Sequence, residues 1–148
     1  MIGKRDMRKI LVSGVVAGLA LVGSVGMAHV SANNMMSNSV RLRPLNGSGV
    51  TGTVQLTYNG TMTTAVMTVR HLKPMSVHPA HIHVGSCTKM GPVVFSFKPL
   101  VADMNGMAVS TVRFHGNYEH KHYYANVHMG PTLATKMAFT PITCGNIM

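Results

Sequence analysis

Residues 80–87 read "AHIHVGSC", two histidines one residue apart in a β-prone run, with a cysteine four residues after the second. In an extended strand, side chains two apart share a face and stand roughly 6.5–7 Å apart along the backbone. His81 and His83 therefore project together, and both can reach one metal ion bound about 2 Å from each nitrogen. A third ligand must come from another strand, and "YYANVHMG" (123–130) offers His128 in the same alternating surroundings. Neutral imidazole suits copper and zinc, and a T-shaped or trigonal set of three suits copper best. An HxH strand by itself is a weak signal, and alternating histidines on a solvated face are the competing reading.

Further candidates lie around this core set. His122 is six residues before His128 and shares its face if the strand is unbroken, as a fourth ligand or a hydrogen-bonding partner of one. Met129 and Met90 offer soft thioether donors of the kind Cu(I) prefers. Eleven of the 14 methionines lie beyond residue 32, but Met62, Met67 and Met107 fall in strand-like runs where core packing explains them. His71, His78, His115 and His120 read as surface or loop histidines.

The elements that must position these residues read as strands. "VTGTVQLTYNG" (50–60) is strongly β-prone, Asn59-Gly60 is a hairpin signal, and "TMTTAVMTVRHL" (61–72) is the return strand. "HPAHIHV", "PVVFSFKPL", "GMAVSTVRF" after Asn105-Gly106, "HYYANVHM" and "ITCGNI" complete the set. Short strands between Gly, Pro and Asn turns, with no helical period, predict an all-β sandwich or barrel. Residues 33–48 read as a flexible N-terminal segment and 49–148 as the domain.

The first 32 residues are predicted to be a signal peptide. A basic start, "MIGKRDMRK", precedes the 18-residue apolar run Ile10 to Met27, and Val30-Ser31-Ala32 supplies a small-x-Ala cleavage site, with Ala28 as second choice. Contact with a membrane is expected only if that segment stays uncleaved as an anchor. In either case the domain is exported, periplasmic or secreted, where two cysteines pair. A Cys87–Cys144 bridge closes a loop of 57 residues and contributes about 4 kcal/mol in the chain-entropy model. Two buried free thiols are the alternative.

Charge narrows the functions further. The chain carries 13 Lys+Arg against 3 Asp+Glu, or +10; beyond residue 32 the balance is 9 against 2, or +7. These cations are scattered and Trp is absent, so nucleic acid is not an expected partner. Asp103 and Glu119 are the only carboxylates beyond residue 32, too few for paired-carboxylate catalysis. Neither a nucleophile–base arrangement nor a phosphate-binding loop is visible, and no catalytic residue is assigned.

"AHIHVGSC", "NVHMGP" and "TCGNI" occur in the order and rough spacing found in Cu/Zn superoxide dismutases. "VTGTVQLTYNG", "AHIHVG", "GPVVFSF" and "YYANVHMGP" are also close to the pattern of CHRD domains. The chain thus resembles these families over about residues 49–147. That resemblance implies a Greek-key β-sandwich or barrel of two-sheet, immunoglobulin-like type, with His81, His83 and His128 as copper ligands. It also places the family disulfide on Cys87 and Cys144, which the redox argument reaches independently. The departures bear on function. Gly91-Pro92-Val93 stands where the dismutases have Gly-Pro-His, whose histidine bridges copper and zinc, and no zinc loop follows. Pro141 stands where they carry the arginine that attracts superoxide. Copper is therefore the expected cofactor, zinc is not, and efficient dismutation is not expected.

Three functions follow, of which the first is preferred. The first is an exported protein that holds one copper ion for buffering, carriage or sensing. The second is a copper-only dismutase of weak activity. The third is a metal-free CHRD-type interaction domain whose partner is another extracytoplasmic protein.

Overall fold

The computed structural model describes residues 35–147; the signal peptide expected over 1–32 lies outside the described residues. Ten strands follow in chain order: β1 (Met36–Pro44), β2 (Thr51–Tyr58), β3 (Met62–Arg70), β4 (Val77–His78), β5 (Ala80–Gly85), β6 (Met90–Ser96), β7 (Leu100–Val101), β8 (Ala108–His115), β9 (Tyr123–His128) and β10 (Pro141–Asn146). One helical turn, α1 (Lys136–Phe139), and a 3-10 turn (Tyr118–His120) complete the elements.

Local sequence accounts for most of these strands. Val54 and Leu56 of β2, and Thr63, Ala65, Met67 and Val69 of β3, alternate inward at full burial, while their neighbours face out. The Asn59-Gly60 turn joins the two strands as expected: Gly60 takes φ +92°, and Asn59 Oδ1 accepts the backbone N–H groups of Thr61 (3.2 Å) and Met62 (2.9 Å). Before β8, Asp103 Oδ1 accepts the N–H groups of Asn105 (2.9 Å) and Met107 (2.8 Å). Gly106 there takes φ +71°, and a Cβ would strike the Leu72 carbonyl, so only glycine fits.

Eight strands form one antiparallel sheet in the order β6-β5-β9-β10-β1-β2-β3-β8, and β4 and β7 pair separately. Neighbours distant in sequence, such as β1 with β10 and β5 with β9, mark the long crossings of a Greek key. The outer strands approach each other: Phe95 of β6 stacks on Phe114 of β8 at 3.8 Å between centroids, and Ser110 Oγ donates to Lys98 O at 2.8 Å. The result is a nearly closed β-barrel, as the strand pattern predicted. Its interior holds Val40, Leu42, Val54, Leu56, Met67, Ile82 and Val127, among other apolar side chains.

The N-terminal part of the domain corrects the sequence reading. Residues 33–48, expected to be flexible, supply β1, which pairs with β2 over seven registered residues and with β10 on its other side. Only Val40 and Leu42 of β1 face the core, and Ser37, Ser39, Arg41 and Arg43 face solvent. Two apolar residues are too few to show a period. The strand exists because both neighbours satisfy its backbone groups.

The expected disulfide is present. Cys87, in the turn after β5, bonds Cys144 of β10, and the Cys87 N–H donates to Asn146 Oδ1 at 2.8 Å. This joins the β5–β6 hairpin to β10 across a separation of 57 residues. A Cys87→Ser, Cys144→Ser double variant is expected to lose about 4 kcal/mol of stability in urea unfolding, because its denatured chain regains the freedom of that loop. A loss below about 1 kcal/mol would show that the bridge does not constrain the denatured state.

Candidate metal centre

Strands β5 and β9 are buried on both faces, and this creates the site. Ala80 and Ile82 of β5 and Tyr123, Ala125 and Val127 of β9 point into the barrel. The alternate residues, His81, His83, Tyr124, Asn126 and His128, therefore share the opposite face. Register places His81 opposite Asn126 and His83 opposite Tyr124. All five are buried; His81, the most accessible, is 9% exposed.

Three of these are the histidines selected from the sequence. One ring nitrogen from each of His81, His83 and His128 lies within 4.8 Å of the others. Three donors around one ion at about 2 Å each lie no more than about 4 Å apart, so closing the set needs ring movements of under about an ångström. The rings meet edge-on, with centroids of His81 and His83 5.7 Å apart and of His81 and His128 5.2 Å apart.

Backbone carbonyls fix which ring nitrogens of His83 and His128 carry the proton. His83 Nδ1 lies 2.9 Å from Gly91 O and His128 Nδ1 lies 2.6 Å from Phe139 O. A carbonyl accepts only, so both Nδ1 atoms carry the proton and both Nε2 atoms carry the lone pair. His128 Nε2 is buried with no hydrogen-bond partner, and so is His81 Nδ1. Burying polar atoms unpaired costs free energy, and two orphaned nitrogens converging on a third imidazole are what a metal relieves. The available donor set is thus His81 Nδ1, His83 Nε2 and His128 Nε2, oriented by carbonyls as ligating histidines usually are.

The surrounding loops hold this arrangement. Two register irregularities between β5 and β6 flank His83, and they let the Gly91 carbonyl meet its ring. Tyr124 stacks against the face of that ring at 4.7 Å and 16°. The segment after β9 folds back so that the Met129 N–H donates to Thr140 O and the Gly130 N–H to Ala138 O. That fold brings the Phe139 carbonyl to His128 and the Phe139 ring to within 5.0 Å of the imidazole. Thr135 Oγ1 caps the single turn of α1 by accepting the Ala138 N–H at 3.1 Å.

His78 differs from the sequence reading. Expected to be a surface or loop histidine, it is 6% exposed, its Nδ1 donates to the His128 carbonyl at 2.9 Å, and its Nε2 meets Ser76 Oγ at 2.7 Å. It pins the backbone of His128, a role visible only once β4 is placed beside the end of β9. His71, His115 and His120 are exposed as expected.

The remaining candidates lie outside the three-histidine group. His122 precedes the first residue of β9 and is exposed, while its carbonyl accepts the Gly85 N–H at 3.0 Å. Met90, at the start of β6, is exposed and lines an open cavity with His122, Lys89 and Lys121. Met129 follows His128 directly and its side chain is exposed. Sequence reasoning passed over Asn126, whose Oδ1 lies 3.1 Å from His83 Nε2. Its signal was available in "NVH", two residues before His128 and hence on the same strand face.

Burial disfavours a charge on His81 and His128. Burial pushes His81 down from 6.5 to about 4, helped by His128 and His83 beside it. Burial also lowers His128, against the hydrogen bond to Phe139 that favours its charged form. Lone pairs on His81 thus stay available into mild acid. The same shift makes the metal-free fold acid-sensitive: the unfolded chain takes up a proton near 6.5 that folded His81 refuses until about 4. Stability of the metal-free protein is expected to fall as pH drops through that window, by on the order of 3 kcal/mol from His81 alone. Thermal unfolding between pH 7 and 4 should show the slope, and His81→Gln should remove much of it; an unchanged slope would assign the sensitivity elsewhere.

No protein-family model matches the chain, and no curated protein matches it.

Proposed function

We propose that this is an exported copper-binding protein that holds one copper ion through His81, His83 and His128. The observation that carries the reading is the pair of buried, unpartnered nitrogens, His81 Nδ1 and His128 Nε2, facing the lone pair of His83. Three neutral imidazoles without a carboxylate form a poor site for calcium or magnesium and a good one for copper or zinc. The resemblance to the Cu/Zn superoxide dismutases and CHRD domains favours copper. The disulfide is consistent with an oxidising compartment, which supports export.

Binding is preferred over catalysis because the parts a fast dismutase needs are missing from their expected places. Val93, where the dismutases have the bridging histidine, is 47% exposed on an outer strand of the sheet. Pro141, where they have the anion-guiding arginine, opens β10. The site thus holds and releases an ion, for buffering, carriage or sensing.

The purified protein should take up one copper per chain, measured by elemental analysis after removal of free metal. His128→Ala should weaken that binding by about 100-fold or more, since it deletes a ligand rather than a hydrogen-bonding partner of one. A His81→Ala, His83→Ala double variant should bind none while remaining folded by circular dichroism. Full copper stoichiometry in that double variant would reject the site.

A further inference from the structure

We propose that Asn126 supplies a fourth donor, its side-chain oxygen, to the metal held by the three histidines, and thereby makes the site selective for copper(II). This rests on the metal reading above.

Position is the first argument. Asn126 lies on β9 two residues before His128, directly opposite His81, and is 1% exposed. An amide this deeply buried must have its polar atoms satisfied.

Contact geometry is the second. Asn126 Oδ1 lies 3.1 Å from His83 Nε2. The His83 proton is on Nδ1, facing the Gly91 carbonyl, so Nε2 presents a lone pair. Two acceptors at hydrogen-bond distance repel, so either the amide turns its N–H2 toward Nε2 or a positive centre lies beside the pair, and the Asn126→Leu variant below separates the two. Two donors bound about 2 Å from one ion at 90–110° lie roughly 2.8–3.3 Å apart. The observed separation falls in that range, so the oxygen and the nitrogen are spaced as two donors to one ion would be.

Chemistry is the third. Three imidazoles suffice for Cu(I), whereas a tetragonal set of nitrogen and oxygen donors is characteristic of Cu(II). An amide oxygen is harder than an imidazole nitrogen and strengthens the oxidised ion selectively. No residue at the position of Val93 need supply that donor, because β9 brings it from the other side.

The test uses the full-length protein with its disulfide formed, comparing Cu(II) and Cu(I) affinities by competition with chelators and recording the Cu(II) electron paramagnetic resonance spectrum. In Asn126→Leu, Cu(II) binding should weaken by about tenfold or more, Cu(I) binding should stay near wild type, and the spectrum should change. In Asn126→Asp, which keeps an oxygen and adds charge, Cu(II) should bind at least as tightly as in wild type. If a folded Asn126→Leu keeps the wild-type Cu(II) affinity and spectrum, Asn126 is no donor. Tighter Cu(II) binding in that variant would also overturn the proposal, since the amide would then be a hydrogen-bonding competitor for Nε2. Should Asn126→Leu fail to fold, Asn126→Asp decides, and weaker Cu(II) binding there rejects the proposal. Copper uptake by wild type that Asn126 does not influence leaves the three-histidine reading standing; no copper uptake by wild type sinks both.

Discussion

Strands β5 and β9 are covered on both faces, and the rest of the site depends on that constraint. A strand whose two faces are both buried has two environments to satisfy at once. Here the barrel side is met by Ala80, Ile82, Ala125 and Val127, and the opposite side by histidines, an asparagine and a tyrosine. Pairing of β5 with β9 then sets the separation of His81, His83 and His128 with little freedom left. A slip of β5 by one residue in that register would turn His81 and His83 into the barrel and Ala80 and Ile82 out, leaving His128 without them.

Around that pair, chain segments far apart in sequence act as fixed hydrogen-bond acceptors and donors. The Gly91 and Phe139 carbonyls set the tautomers of His83 and His128, and His78 holds the His128 carbonyl from the other side. The Cys87–Cys144 bridge ties the hairpin that carries Gly91 to the strand next to β9. Such preorganisation holds the three imidazoles in place, and it explains why unpaired nitrogens persist on His81 and His128 in a buried place. The cost appears at His81 and His128, which resist protonation because a buried cation without a counter-charge is worse than a buried lone pair.

Legibility in the sequence followed the strength of each local pattern. The hairpin at Asn59-Gly60, the turn before β8 and the alternation in β2 and β3 were readable because turn chemistry and side-chain period are local properties. β1 was missed because its inward residues number two, and its strand state is enforced by β2 and β10. His78 was missed for a related reason: the carbonyl it holds is 50 residues away in sequence. Asn126 shares its strand face with His128, but nothing in "NVH" tells how close the amide lies to His83.

The amino-acid sequence by itself determined the all-β character, the pairing of Cys87 with Cys144 and the choice of His81, His83 and His128, because period-two alternation, cysteine count and ligand chemistry are carried by residue type and spacing. Tertiary structure alone decided which imidazole nitrogens are free, that His78 is a brace, that His122 stands apart from the three histidines, and that Asn126 faces His83. Those depend on register between β5 and β9 and on carbonyls delivered by distant loops, and neither is encoded in any single stretch of chain.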